Sequence, residues 1–205
     1  TPGRLMKKTA FFFLFSIIFF GANAQSGLSV QGYYGISGSG LARKAELVGV
    51  SSPSMDQVSS FGLILSKYLG SRLSLSTGLS YTFGTVDFSF NCPNCITTGP
   101  GFLVAHNPDF SMLSVPVYGE FIFWKVFYLA AGPLLDFQQS EGNNFSEQSG
   151  LGYLLGLGAR VPMENWFFSL QSNYKRHGVA PFENPGNNKF IFQELGLQVG
   201  LGYSF

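Results

Sequence analysis

"LGLQVGLGYSF", residues 195–205, is the stretch that decides the fold. Leu195, Leu197, Val199, Leu201, Tyr203 and Phe205 share one parity, and Gly196, Gln198, Gly200, Gly202 and Ser204 share the other. Successive side chains of a β-strand point to opposite faces, so this segment reads as a strand with one oily face and one small or polar face. The oily face must touch either a protein core or lipid, and the rest of the chain is read for which.

The same two-residue period recurs in eight segments, roughly 27–38, 57–69, 72–90, 110–124, 126–139, 150–162, 165–177 and 188–205. In the third, Leu73, Leu75, Leu79, Tyr81 and Phe83 oppose Ser74, Ser76, Gly78, Ser80, Thr82 and Gly84. In the fourth, Leu113, Val115, Val117, Phe121 and Phe123 oppose Ser114, Tyr118 and Glu120. In the fifth, Phe127, Leu129, Ala131, Leu135 and Phe137 oppose Ala130, Gly132, Asp136 and Gln138. Helical spacing fits none of them.

Links between the segments alternate in length. Gly70-Ser71, Trp124-Lys125 and Pro162-Met163-Glu164-Asn165 are tight, whereas 39–56, 91–109, 140–149 and 178–187 are long and rich in Ser, Asn, Gly and Pro. An up-and-down meander with that rhythm gathers short turns at one end and long loops at the other, as in outer-membrane barrels. Within hydrocarbon an unpaired backbone N–H or C=O costs several kcal/mol, so the first strand is expected to close on the last. A soluble ligand-binding barrel would turn its oily set inward and need far more charge outside than these Ser, Gly and Gln faces supply.

Composition agrees with lipid. Charged residues make up 11% of the chain, well below the ~25% of ordinary soluble domains, while Phe and Gly number 23 and 26. Met6-Lys7-Lys8 followed by "TAFFFLFSIIFFG" and Ala22-Asn23-Ala24 reads as a cleavable secretory signal peptide over 6–24, with the barrel domain over 25–205. Residues 1–5 are expected to be an artefact of the gene start or of cloning. Removing Arg4, Lys7 and Lys8 leaves 9 basic residues against 11 acidic ones, a net charge of −2 that gives no reason to propose nucleic acid binding.

The stretches "LSLSTGLSYTFG", "LSVPVYGEFIF", "FYLAAGPLLDF", "GYLLGLGARV" and the closing "LGLQVGLGYSF" resemble the PorT-like outer-membrane β-barrel family of Gram-negative bacteria, over essentially all of 25–205. The resemblance implies residence in the bacterial outer membrane, and it implies that Phe205, with Tyr203 beside it, is a signal read by the barrel-assembly machinery. Some relatives are linked to protein secretion; no activity follows from the resemblance.

An eight-stranded barrel has a bore that side chains fill. Parity points Glu120, Asp136, Arg160, Lys175 and Glu194 inward, with Tyr118, Gln138, Gln171, Asn173 and Gln198 as polar companions. Opposite charges in so confined a space are expected to pair and plug it, because an unpaired buried charge is too costly. Cys92 and Cys95 in "NCPNC" form a C-x-x-C that suits a loop disulfide in an oxidising compartment; a redox centre would want a βαβ setting, and zinc a second pair. His106 with Asp109 and Ser111, or His177 with Glu183, can be imagined as a hydrolytic set at the rim, but no ordered nucleophile motif accompanies either histidine. The apolar "GFLVAH" in the second long loop either caps the barrel mouth or docks a partner.

The expectation is therefore an all-β, eight-stranded antiparallel up-and-down transmembrane β-barrel, non-enzymatic and without cofactor or metal. Its role is structural or interactive, and the family resemblance implies an accessory of a transport or secretion assembly. A narrow solute channel and a rim-located lipid-modifying enzyme are the alternatives. Expected partners are outer-membrane lipid, the assembly machinery and a protein at the long external loops.

Overall fold

A computed structural model describes residues 27–43, 52–54, 57–85, 87–89, 109–140, 148–182 and 190–205. Ten strands are present there: β1 (Leu28–Arg43), β2 (Ser52–Ser54), β3 (Gln57–Tyr68), β4 (Leu73–Thr85), β5 (Asp87–Ser89), β6 (Asp109–Phe123), β7 (Phe127–Gln138), β8 (Gly150–Met163), β9 (Trp166–Pro181) and β10 (Phe190–Ser204). Eight of them form a closed antiparallel barrel in the order β1-β10-β9-β8-β7-β6-β4-β3, with β3 returning to β1. The short β2 and β5 pair with each other in a separate two-stranded sheet. No helix among the described residues is long and apolar enough to cross a membrane, a statement that does not bear on strands.

Closure is made by β1 and β10, in register from Ser29↔Ser204 to Arg43↔Phe190. The Phe205 N–H donates to the Leu28 carbonyl at 2.9 Å, continuing the seam beyond the paired strands. The register also sets the bore. Crossing the ladders from Gly38 through Leu195, Tyr174, Leu155, Ala131, Gly119, Leu75 and Lys67 leads back to β1 at Leu28, an offset from 38 to 28 of ten residues. With ~3.3 Å per residue along a strand and ~4.8 Å between strands, that shear tilts the strands by about 40° and gives a Cα radius of about 8 Å. Side chains alone fill such a cylinder.

The two faces separate by residue parity as the sequence predicts. Along β4 the exposed Leu73, Leu75, Leu79 and Phe83 alternate with the buried Ser74, Ser76, Ser80 and Thr82. Outward leucines are among the most exposed large hydrophobic residues of the described chain, Leu63 at 64% and Leu195 at 63%, an arrangement opposite to that of a water-soluble barrel. At the short-turn end Trp166, Tyr203 and Phe205 stack edge to face, with ring centroids 5.2 and 5.1 Å apart, and Phe123, Trp124 and Phe127 form a second aromatic cluster. Towards the long-loop end lie Phe61, Tyr81 and Phe83, the Phe137–Phe182 pair and the Tyr153–Tyr174 pair. Two aromatic belts thus border one apolar band.

The turns are tight where the sequence calls for it. Between β6 and β7 the Val126 N–H donates to the Trp124 carbonyl at 2.7 Å, a γ-turn centred on Lys125 with φ 64°. The expected four-residue link after β8 shrinks to Glu164-Asn165, because Pro162 and Met163 still pair with Phe167 and Trp166. The strands also outlast the expected segments on the long-loop side. β1 continues to Arg43 and β9 to Pro181, while the segment expected over 72–90 divides into β4 and β5. Pro116 and Pro133 have no N–H to give a ladder. Near them the β6–β7 partners skip from Pro116↔Leu134 to Gly119↔Ala131, and the β4–β6 partners skip from Thr77↔Val117 to Ser80↔Ser114.

A bilayer around the apolar band makes charge tolerance depend on depth. Val199→Arg, midway along the outer face of β10, is expected to destabilise the refolded protein by about 2–4 kcal/mol in denaturant titrations in vesicles; Gln139→Arg, beyond the long-loop aromatic belt, should cost about 0–1 kcal/mol. Equal costs at the two depths would contradict a bilayer placed on this band.

Candidate functional site in the barrel interior

The inward residues lie in three tiers. Nearest the short turns, Arg160 of β8 reaches across the bore to Glu120 of β6, with Nη2 3.2 Å from both carboxylate oxygens. Ser74 donates its hydroxyl proton to Glu120 Oε2 at 2.7 Å, and Arg160 Nη1 donates to the Tyr68 hydroxyl at 2.7 Å. The guanidinium carbon lies 5.0 Å from the Tyr128 ring centre and 4.8 Å from that of Phe167, a cation–π enclosure on two sides of the guanidinium. Glycine makes this packing feasible: a Cβ at Gly158 would collide with the Tyr128 ring, and one at Gly202 with the Phe167 ring.

The middle tier holds a small cavity lined by Gln31, Tyr33, Ser80, Gln171, Lys175 and Gln198 on its polar side, and by Ile64, Leu134 and Leu154 on its apolar side. It has room for roughly one ordered water. The Tyr128 hydroxyl donates to Gln171 Oε1 at 3.1 Å, tying this tier to the first. Asn173, 1% exposed, sits between two glycines of the neighbouring strands, Gly156 and Gly196, and its amide makes no hydrogen bond to a described residue.

The upper tier is the more densely charged. Lys175 Nζ lies 2.5 Å from Glu194 Oε1 on the adjacent strand. His177, wholly buried, stands between two carboxylates, with Nδ1 3.1 Å from Asp136 Oδ1 and Nε2 3.6 Å from Glu194 Oε1. Ser114 donates to Asp136 Oδ1 at 2.6 Å, and the Gly178 N–H to Asp136 Oδ2 at 3.4 Å. Above, Phe192 stacks on His177 at 5.0 Å and meets Phe110 in a tilted contact at 5.1 Å, and the buried Val58 and Met112 lie on the same inward face. Three acids and two bases, Glu120, Asp136, Glu194, Arg160 and Lys175, leave one negative charge inside; an imidazolium at His177 would cancel it.

All five charged residues expected inside the barrel are brought together there, as two separate clusters rather than one. His177 is placed differently from the rim position read from the sequence. It points into the barrel from β9, and its neighbours are Asp136 and Glu194, not a solvent-facing loop. Strict alternation with Lys175 on the same strand was the signal available for it. The serines beside these acids, Ser74 and Ser114, donate to carboxylates, and neither is aimed at an imidazole as a nucleophile would be. Asp109 is exposed at the start of β6 and Ser111 is half-buried. Tyr203 and Phe205 sit in the short-turn aromatic belt. Cys92, Cys95, His106, Glu183 and the "GFLVAH" segment lie outside the described residues. Among the described residues no group of three or more His, Cys, Asp or Glu could hold a metal ion.

No protein-family model and no curated protein sequence matches the chain. Among solved structures it is similar to the outer membrane protein OprG from Pseudomonas aeruginosa, at 14% identity and a TM-score of 0.52, over 88% of this chain and 97% of that one. It is also similar to the outer membrane protein AlkL, at 13% identity and a TM-score of 0.46 over 88% and 91% of the two chains. Ail, the attachment invasion locus protein of Yersinia pestis, matches at 14% identity and 0.43 over 86% and 99%. The likeness to OprG shows that the fold is that of an outer-membrane β-barrel.

Because Glu120 is buried and Arg160 keeps only 11% of its side chain exposed, removing one charge strands the other. Glu120→Gln is expected to lower stability by about 3–5 kcal/mol, and Glu120→Gln combined with Arg160→Met to recover most of it, read from denaturant midpoints at constant m-value.

Proposed function

We propose that this protein is an integral barrel of the bacterial outer membrane, exported through its N-terminal signal segment, whose role is structural or interactive rather than enzymatic. The observation that carries the reading is the pairing of two surfaces: an apolar band all around the outside and a bore filled by Arg160–Glu120, Lys175–Glu194 and the Phe110–Phe192 lid. A cylinder of about 8 Å Cα radius filled in this way transmits no hydrated solute in its resting state. Its outer surface, in contrast, is built to stay in lipid. Resemblance to PorT-like barrels supports the narrower version, an accessory to a transport or secretion assembly that meets its partner through the long external loops. Tyr203 and Phe205 then serve the barrel-assembly machinery during insertion, and Cys92 and Cys95 brace the second long loop as a disulfide.

One observation favours a narrow passive channel as the second reading: the polar wall of the central cavity, Gln31, Tyr33, Ser80, Gln171 and Gln198, bordering the Lys175 ammonium. Planar-bilayer recording separates the two. The plugged barrel is expected to give low, irregular conductance; steady large openings would overturn it in favour of the channel.

A further inference from the structure

Three consecutive basic residues, Lys175, Arg176 and His177, lie on β9. Alternation sends the first and third inward, where Glu194 and Asp136 receive them. Arg176 faces outward, and no described residue forms an ion pair with it; its Nε is buried without a hydrogen-bond partner among them. The two neighbouring strands place Tyr153 and Gln193 directly opposite Arg176. Tyr174 lies one step down on the same face, its ring 6.2 Å from that of Tyr153 and its hydroxyl donating to Gln193 Oε1 at 3.1 Å. The amide NH2 of Gln193, the Tyr153 hydroxyl and the guanidinium fork are therefore donors gathered on one patch of the outer wall.

The height of the patch identifies its surroundings. Arg176 stands ten residues (166 to 176) above Trp166 of the short-turn belt. At ~3.3 Å per residue and a tilt of about 40°, this is about 25 Å along the barrel axis, the height of a barrel's apolar band. Tyr153 and Tyr174 belong to the long-loop aromatic belt together with Phe137 and Phe182, so Arg176 stands within that belt, the interfacial level from which a long basic side chain reaches the phosphates of lipid headgroups. A guanidinium at that level is cheap to keep and geometrically suited to two phosphate oxygens at once.

We propose that Arg176, Tyr153, Tyr174 and Gln193 form a binding site for the phosphate of a lipid headgroup in the leaflet at the long-loop end. The site rests on the membrane placement argued above, and supplies that placement with a specific lipid contact. Arg176 gives the bidentate charged contact, the tyrosines sit against the acyl-chain boundary, and Gln193 is held in place by Tyr174.

The test uses the full-length mature barrel, wild type and Arg176→Gln, refolded into phosphatidylcholine vesicles doped with phosphorylated lipid A, with insertion read in every sample by protease protection. Lipid retained on the protein is then measured by native mass spectrometry after detergent extraction. Wild type is expected to retain phosphorylated lipid A about tenfold better than Arg176→Gln, the loss of one hydrogen-bonded charge. Dephosphorylated lipid A should be retained poorly by both, and inorganic phosphate in excess should not displace the lipid. Equal retention by inserted wild type and inserted Arg176→Gln overturns the site while leaving the membrane reading intact. Displacement by inorganic phosphate overturns the lipid as its source. Failure of both proteins to insert overturns the membrane reading, and the site with it. Tyr174→Phe, which removes the tether on Gln193 without touching charge, is expected to weaken retention less than Arg176→Gln; a larger loss would overturn the primary role given to Arg176.

Discussion

A backbone N–H or C=O left unpaired in hydrocarbon costs several kcal/mol, and every other feature of this barrel is arranged around that penalty. Antiparallel pairing satisfies the interior strands, but only the seam between β1 and β10 removes the two edges that a sheet must otherwise have. The shear of that closed register then sets the bore, and the bore sets what can lie inside it. The small radius, the inward glycines at positions 158 and 202, and the packing of Tyr128 and Phe167 around Arg160 are successive consequences of one closed ladder.

Filling the bore poses the reverse problem, since the lumen of a membrane barrel is the place where its polar side chains can go. Charges there are bearable only in pairs. The chain separates its pairs along the axis, Arg160 with Glu120 towards the short turns and Lys175 with Glu194 towards the long loops. Serines 74 and 114 take up further carboxylate lone pairs, one in each cluster. Between the clusters the wall is of mixed polarity, and above them the Phe192 and Phe110 rings close the column.

Much of this was legible in the sequence because a period of two is a strong signal when one face meets lipid: a slip of a single residue would bury the leucines and expose the serines. The eight barrel strands and the inward placement of Glu120, Asp136, Arg160, Lys175 and Glu194 follow from parity, and the rhythm of short and long links from the spacing of the segments, although the link after β3 spans 69–72 and that after β8 only 164–165. What parity could not supply was where a strand ends once it has left the apolar band. There the outward residues become polar, the alternation fades, and β1 and β9 run on through residues that look like loop. His177 reads as a rim residue for that reason, whereas the strand continues and carries it inward two residues beyond Lys175. Pairing of β2 with β5 was invisible for a different reason, since three-residue strands such as "SPS" and "DFS" are too short to show a period.

The seam has one further consequence, and it concerns time rather than energy. Ser29 and Ser204 are partners although 175 positions apart (29 to 204), so the contact that completes the molecule is also among the most distant along the chain. Contacts of such sequence separation form slowly, and until the last strand arrives the first has one bare edge. A polypeptide with so many outward leucines and phenylalanines therefore keeps a bare, self-complementary edge for as long as β10 has not arrived, and sealing the seam is the step that ends its exposure to copies of itself.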